Sequence, residues 1–148
     1  MKAKSEFTLV GIRLSEKTTN ENNQSMQDIG ALWQDFEKNK IAERIKNKSS
    51  NDVYAVYFDY EGDHTKPFSY FIGFPVDKVE LDEGLSSLTI PAADYEVFLA
   101  KGKMPDCIGI TWRLIWNSKV KRSYRYDFEV YGKRSADWSN AEVEIYIS

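Results

Sequence analysis

The sequence predicts an α+β fold: two β-α-β-β pseudo-repeats forming antiparallel sheet around a central cleft, with helices on the outer faces. Three observations carry this. Strand-like and helical segments follow one another in the same order twice. Short residue matches link the two halves in that order. The strand segments are largely apolar on both faces, which implies cover on both sides. At 148 residues the chain suits one domain with a proper core. The expected organisation is a single domain over 1–148, with pseudo-repeat 1 at about 5–77 and pseudo-repeat 2 at about 88–148.

The elements read as follows. "EFTLVGI" (6–12) is strand-like. "SMQDIGALWQDFEKN" (25–39) is helical, with Met26, Ile29, Trp33 and Phe36 on one face and Ser25 as N-cap. "VYAVYFDY" (53–60) and "FSYFIGFPV" (68–76) are strands. In the first of these, Tyr54, Val56, Phe58 and Tyr60 share one face, and Val53, Ala55, Tyr57 and Asp59 the other. "KVELDEGLSSLTIPA" (78–92) joins the halves, with room for an added strand. "DYEVFLA" (94–100) opens the second half as a strand. "PDCIGITWRLIWNS" (105–118) is a helix, with Ile108, Trp112 and Ile115 on one face and Pro105 in its first turn. "RYDFEVYG" (125–132) and "EVEIYI" (142–147) close the chain as strands.

The matches are specific. Glu6-Phe7 and Leu9-Val10 align with Asp94-Tyr95 and Val97-Phe98. Ile29-Gly30-x-x-Trp33 aligns with Ile108-Gly109-x-x-Trp112, and Phe58-Asp59-x-x-Gly62 with Phe128-Glu129-x-x-Gly132. Asp59 is thereby the expected counterpart of Glu129.

Composition removes several function classes. Net charge is −3 with no basic stripe, so nucleic acid is not an expected direct partner. The basic cluster Lys119, Lys121, Arg122 and Arg125 reads as a helix end followed by solvated loop. One cysteine rules out an internal disulfide and suits the cytoplasm. No stretch reads as a signal peptide or membrane span, so no membrane partner is expected. One His and one Cys do not build a typical metal site, and no glycine-rich phosphate loop occurs, so neither metal nor cofactor is expected. His64, in a turn-like loop, is expected at the surface, and Cys107 buried near a helix start. The 14% aromatic content fits either an aromatic core or the walls of a pocket.

Glu129 is the unusual residue, a carboxylate between Phe128 and Val130 in a strand. Alternation puts Tyr124, Tyr126, Phe128 and Val130 on one face, and Arg125, Asp127, Glu129 and Tyr131 on the other. In the last strand Val143, Ile145 and Ile147 oppose Glu142, Glu144 and Tyr146. The simplest arrangement packs Phe128, Val130, Val143 and Ile145 on helix 105–118, leaving Glu129, Tyr131, Glu144 and Tyr146 toward the inter-repeat side. That side is either open to water or a cleft with acids among rings. A buried, unpaired carboxylate either protonates or waits for a cation. A cation there gains an ion pair plus cation–π contacts of roughly 0.5–2 kcal/mol each. A carboxyl with raised pKa also suits general acid/base work.

Through "IPAADYEVFLAKG" (90–102), "IGITWRLIWNS" (108–118), "DFEVYG" (127–132) and "EVEIYI" (142–147), the chain resembles the GyrI-like (gyrase-inhibitor-like) effector-binding domain. That domain also serves as the ligand-sensing part of AraC- and MerR-type multidrug regulators. The resemblance implies two β-α-β-β units around a ligand cleft, with Glu129 as the charged group at its floor. It implies bulky lipophilic cations as ligands of drug-binding members. Some stand-alone relatives resemble hydrolases of electrophilic small molecules that pair an acid with a Tyr, here Glu129 with Tyr70. Others are described as gyrase-protecting. Two departures stand out: Ala93 where a glycine is usual, and Ser148 where a proline is usual. Nothing ahead of residue 6 reads as a helix-turn-helix, so the expectation is a sensor without its DNA reader.

Three functions follow as expectations. The favoured one is a small-molecule-binding domain for lipophilic or cationic compounds, lined by Glu129, Tyr131, Trp112, Trp33, Tyr70, Tyr57 and Trp138. The second is a hydrolase using Glu129 and Tyr70. The third is an interaction module with a protein partner such as a topoisomerase. Binding is favoured because an apolar cavity with one acid needs fewer defined placements than a catalytic site.

Overall fold

The computed structural model describes residues 2–148. The elements in chain order are β1 (Lys2–Lys4), β2 (Phe7–Arg13), α1 (Gln24–Lys38), α2 (Ile41–Arg44), β3 (Val53–Phe58), β4 (Ser69–Pro75), β5 (Ser86–Ile90), β6 (Ala93–Gly102), α3 (Asp106–Trp116), β7 (Tyr126–Tyr131) and β8 (Ala141–Ile147). All eight strands join one sheet of order β1-β6-β8-β7-β3-β4-β2-β5, paired antiparallel throughout. The α+β class is as the sequence predicts. From the central β7/β3 pairing the sheet runs outward as β7-β8-β6 on one side and β3-β4-β2 on the other, the same order in each half. The outermost strands are exchanged: β1 pairs with β6, and β5 with β2. β5 falls in the joining segment, where a strand has room. β1, with the sequence "KAK", carries no strand signal and goes unforeseen.

Both long helices lie on one face of the sheet. Leu32 and Phe36 of α1 pack with Val10, Ala55, Tyr70, Ile72 and Phe74. Trp112 and Ile115 of α3 pack with Ala100, Val143, Ile145 and Ile147. Tyr57 and Tyr131 touch both clusters and so lie between the helices. The opposite face gathers Leu9, Val56, Phe58, Phe71, Ile90, Tyr95, Phe128 and Tyr146. Each such fully buried large side chain contributes about 1.5–3 kcal/mol.

The sheet curls toward this second face. Phe7 of β2 meets Phe128 of β7 at 5.6 Å between ring centroids, although β4 and β3 lie between their strands. A flat sheet would hold those strands about 14 Å apart. The result is a half-barrel with the helices on its outer side. Gly11 and Gly73 pair directly where β2 meets β4. A Cβ on Gly11 would collide with the Ile72 carbonyl oxygen, and one on Gly73 with that of Val10. Only glycine fits this close backbone approach.

The structure corrects some local expectations. Glu129 pairs with Ile145, and Phe128 with Tyr146. Glu129 and Tyr131 therefore face the helices together with Val143 and Ile145, while Phe128 and Val130 face the concave side with Tyr146. The alternation within each strand is as read; the pairing between strands is shifted by one. Periodicity fixes which residues share a face but not which faces meet. Met26 is 72% exposed, and Leu32 fills the buried stripe of α1 instead. Helix α1 starts at Gln24 after Asn23, and Ser25 is no cap: its Oγ–H donates to Asn20 Oδ1 at 2.8 Å. Pro105 immediately precedes α3, and Cys107 is buried.

Candidate functional site

Glu129 lies mid-strand in β7 and is 1% exposed. Three neutral groups donate to its carboxylate. Trp112 Nε1–H and the Tyr57 hydroxyl reach Oε2 at 2.6 and 2.9 Å. The Tyr131 hydroxyl reaches Oε1 at 2.5 Å. The chain delivers each for a simple reason. Tyr131 is two residues on, hence on the same face. Tyr57 comes from β3, which pairs with β7 through Ala55 and Glu129. Trp112 descends from the buried stripe of α3.

Around these stand two more rings. Tyr70 of β4 pairs with Tyr57, their rings edge-on at 5.0 Å. Trp33 of α1 donates its Nε1–H to the Tyr70 hydroxyl at 2.8 Å and packs edge-on against Tyr131 at 5.3 Å. Tyr57 and Trp112 meet at 4.9 Å. Each helix thus supplies one Trp, and the sheet three Tyr, around one carboxylate. Glu129, Tyr131, Trp112, Trp33, Tyr70 and Tyr57 come together as the sequence anticipates.

Trp138 does not join them. It sits in the turn between β7 and β8, 61% exposed, where its carbonyl accepts from the Met104 N–H at 2.8 Å. Asp59 does not join them either. It lies past the end of β3, exposed, with positive φ, and pairs with Lys17 at 3.8 Å. Helix-facing β3 brings Tyr57 to the site, not a second acid. Tyr70 makes no hydrogen bond to Glu129; its hydroxyl meets Trp33. The tyrosines that touch the acid are Tyr57 and Tyr131.

Burial pushes the Glu129 carboxyl above its ordinary range, while hydrogen bonds from Tyr131, Trp112 and Tyr57 pull it back. Burial also raises Tyr57, Tyr70 and Tyr131 well above an ordinary phenol, with Glu129 adding to it. All three remain O–H donors at neutral pH. Among the described residues, no ion pair includes Glu129.

Asp127, two residues earlier and on the same face, has a different environment. It is fully buried. Arg122 Nη2 donates to it at 2.7 Å, the Tyr60 hydroxyl at 2.6 Å, and the Ser148 N–H and Oγ–H at 2.8 and 3.1 Å. Arg122 is therefore not solvated, as the charge pattern suggests, but buried against the Tyr124 ring, 4.2 Å from its centroid. A proline at 148 would have no N–H to give to Asp127. This network goes unread in the sequence, although alternation does place Asp127 beside Glu129.

Glu129 is enclosed by the Trp112, Tyr57 and Tyr131 side chains that donate to it. A concavity of about 330 Å³ lies instead at the far end of β3 and β7, lined by Phe58, Asp59, Tyr60, Tyr124, Arg125 and Tyr126. Among the described residues, no three His, Cys, Asp or Glu side chains cluster to hold a metal. Among the described residues, no helix is long and apolar enough to cross a membrane. His64 is half-buried, stacked on Trp116 at 5.0 Å.

Residues 1–148 match the Cass2 family, described as integron-associated effector binding protein. The chain belongs to this family. A Cass2 structure from the mobile metagenome of Vibrio cholerae, an integron cassette protein, is 27% identical with a TM-score of 0.72 over 99% of this chain and 94% of that one. YobU of Bacillus subtilis (strain 168), provisionally named a transcriptional regulator, is 25% identical over 141 residues, covering 91% of this chain and 88% of YobU. The fold is shared with SAV2435, solved bound to tetraphenylphosphonium, at 20% identity and a TM-score of 0.77, covering 99% of this chain and 90% of that one. Membership in Cass2 makes this an effector-binding protein, similar to a curated protein provisionally named a transcriptional regulator.

Proposed function

We propose that the chain, as one unit over 1–148, binds lipophilic organic cations between α1 and α3, with Glu129 as the counter-charge. The single observation that carries this is the contrast on β7. Two carboxylates share one buried face, and among the described residues only Asp127 has an internal cation. Glu129 has three neutral donors and a surround of Tyr and Trp rings. A lipophilic cation meets the charge that these donors leave uncancelled, and gains cation–π contact with the rings. The tetraphenylphosphonium-bound relative supports the ligand class.

Because the rings enclose Glu129, binding on this reading requires them to part. Trp33 and Tyr131 are half-buried and form the movable wall. Tryptophan fluorescence tests this: tetraphenylphosphonium changes the emission in proportion to occupancy, and loss of the change in Trp33→Phe locates it. An emission that ignores the cation at millimolar concentration would overturn the reading.

A hydrolytic use of the same site has one observation in its favour. Glu129 is a carboxyl of raised pKa in direct contact with tyrosine hydroxyls, a general acid/base pairing. The pair is Glu129 with Tyr131 or Tyr57, not with Tyr70. Mass spectrometry of small epoxides and strained esters incubated with the protein decides it; intact substrates exclude turnover.

A further inference from the structure

Phe128 and Glu129 point to opposite faces of β7, and on the concave face of the half-barrel a second cation-holding arrangement stands. Lys4 of β1 directs its ammonium into a box of four rings. Nζ lies 4.8 Å from the Tyr146 centroid, 5.6 Å from Tyr54, and 5.7 Å from both Phe7 and Phe128. Among the described residues, the ammonium's one hydrogen bond is a long one, 3.5 Å to the Tyr54 hydroxyl. Among the described residues, no carboxylate forms an ion pair with it. The rings pack on one another: Phe128 stacks on Tyr146 at 4.7 Å, and Phe7 meets Phe128 edge-on at 5.6 Å.

Lys4 is a poor guest for such a box. A primary ammonium is strongly hydrated, and burial lowers the Lys4 pKa, with Lys2 adding to it, while Glu144 and Asp52 oppose. A quaternary ammonium of similar charge is less hydrated and fills the space between rings better. The strand that carries Lys4 is held at the sheet edge by three residues paired with β6, so it can yield. Next to the box, Val97 and Leu99 are exposed on the same face, opposite Tyr146 and Glu144 in the β6/β8 register. They form an apolar track leading away from it.

We propose that Phe7, Tyr54, Phe128 and Tyr146 form a second binding site, separate from Glu129, for the trimethylammonium headgroup of alkylammonium compounds, with Lys4 as its resident competitor. The test is a nuclear magnetic resonance titration with choline and with its uncharged carbon analogue, 3,3-dimethylbutan-1-ol. Ring signals of Tyr54 and Tyr146 report this site; the indole N–H signals of Trp33 and Trp112 report the Glu129 site separately. Choline is expected to move the Tyr54 and Tyr146 signals and not the indoles. Lys4→Ala is expected to bind choline about tenfold more tightly than the natural protein, and Lys4→Ala with Tyr54→Leu to lose that gain. Equal response to the uncharged analogue, no gain in Lys4→Ala, or unchanged binding after Tyr54→Leu would each overturn the proposal. The natural protein carries the same test at higher choline concentration: Tyr54 and Tyr146 signals that stay still at saturation of the range refute it even if a variant fails to fold.

Discussion

Asp127 and Glu129 stand two residues apart on one face of β7, both buried, and only Asp127 faces a cation, Arg122 Nη2 at 2.7 Å from its Oδ2. Among the described residues, Glu129 receives hydrogen bonds from Trp112, Tyr57 and Tyr131 alone. Asp127 is matched by a cation; Glu129 meets neutral donors. The consequences for stability, titration and binding differ for the two residues and can be measured.

Glu129→Gln is expected to stabilise the free protein at neutral pH. Burial raises the Glu129 pKa in the folded state, so the folded chain holds that proton more tightly than the unfolded chain does. Its contribution to stability is then fully present below the unfolded carboxyl value and is lost as pH rises through the higher folded value. The uncharged amide of the variant carries no such loss. Melting curves from pH 4 to pH 8 check this: the difference in Tm between variant and natural protein grows with pH. A difference that shrinks with pH contradicts the direction of the shift.

Trp112→Phe keeps an aromatic ring but removes the N–H that reaches Oε2 at 2.6 Å. A hydrogen bond to a charged group is worth about 1.5–3 kcal/mol. The variant is expected to unfold at lower denaturant concentration at pH 7, with a smaller loss at pH 4, since lowering the pH moves Glu129, whose pKa burial raises, toward its protonated form. Urea titrations at both values supply the comparison.

Arg122→Gln leaves Asp127 buried without its cation. Removing one partner of a buried pair costs about 3–5 kcal/mol. Combining it with Asp127→Asn removes the stranded charge, and the double variant is expected to be more stable than Arg122→Gln alone. Chemical denaturation of the single and double variants tests the coupling.

Ser148→Pro deletes the N–H that donates to Asp127 Oδ1 at 2.8 Å. The expected loss is about 1 kcal/mol or more, with the surroundings of Glu129 unaffected, because Ser148 touches Asp127 and not Glu129. A melt paired with a cation titration separates the two effects.

Much of this is legible in the sequence for definite reasons. The β-α-β-β order follows from two helical stripes, through Trp33 and through Trp112, set among strands apolar on both faces. Glu129 draws notice because a carboxylate between Phe128 and Val130 breaks the strand's composition. Its aromatic neighbours are legible because Tyr57, Tyr131 and Trp112 lie on faces that alternation or helical period can assign. The register of β7 on β8 is not, since period two is unchanged when a neighbouring strand slips by one residue. The exchange of β1 is not, since Lys2–Lys4 has neither β-branched nor aromatic content. Trp138 misleads because residue type alone, without a periodic element beneath it, fixes no direction. Arg122 misleads because a basic run after a helix looks the same whether it is solvated or folded back onto Asp127.

Isothermal calorimetry of tetraphenylphosphonium with the natural protein and with Glu129→Gln, alongside neutral triphenylphosphine oxide, tests the central claim most directly. The account predicts that the cation binds the natural protein, that Glu129→Gln weakens it at least about tenfold, and that the neutral compound is indifferent to the substitution. Equal affinity of the cation for both proteins would show that Glu129 supplies no counter-charge and would contradict the account.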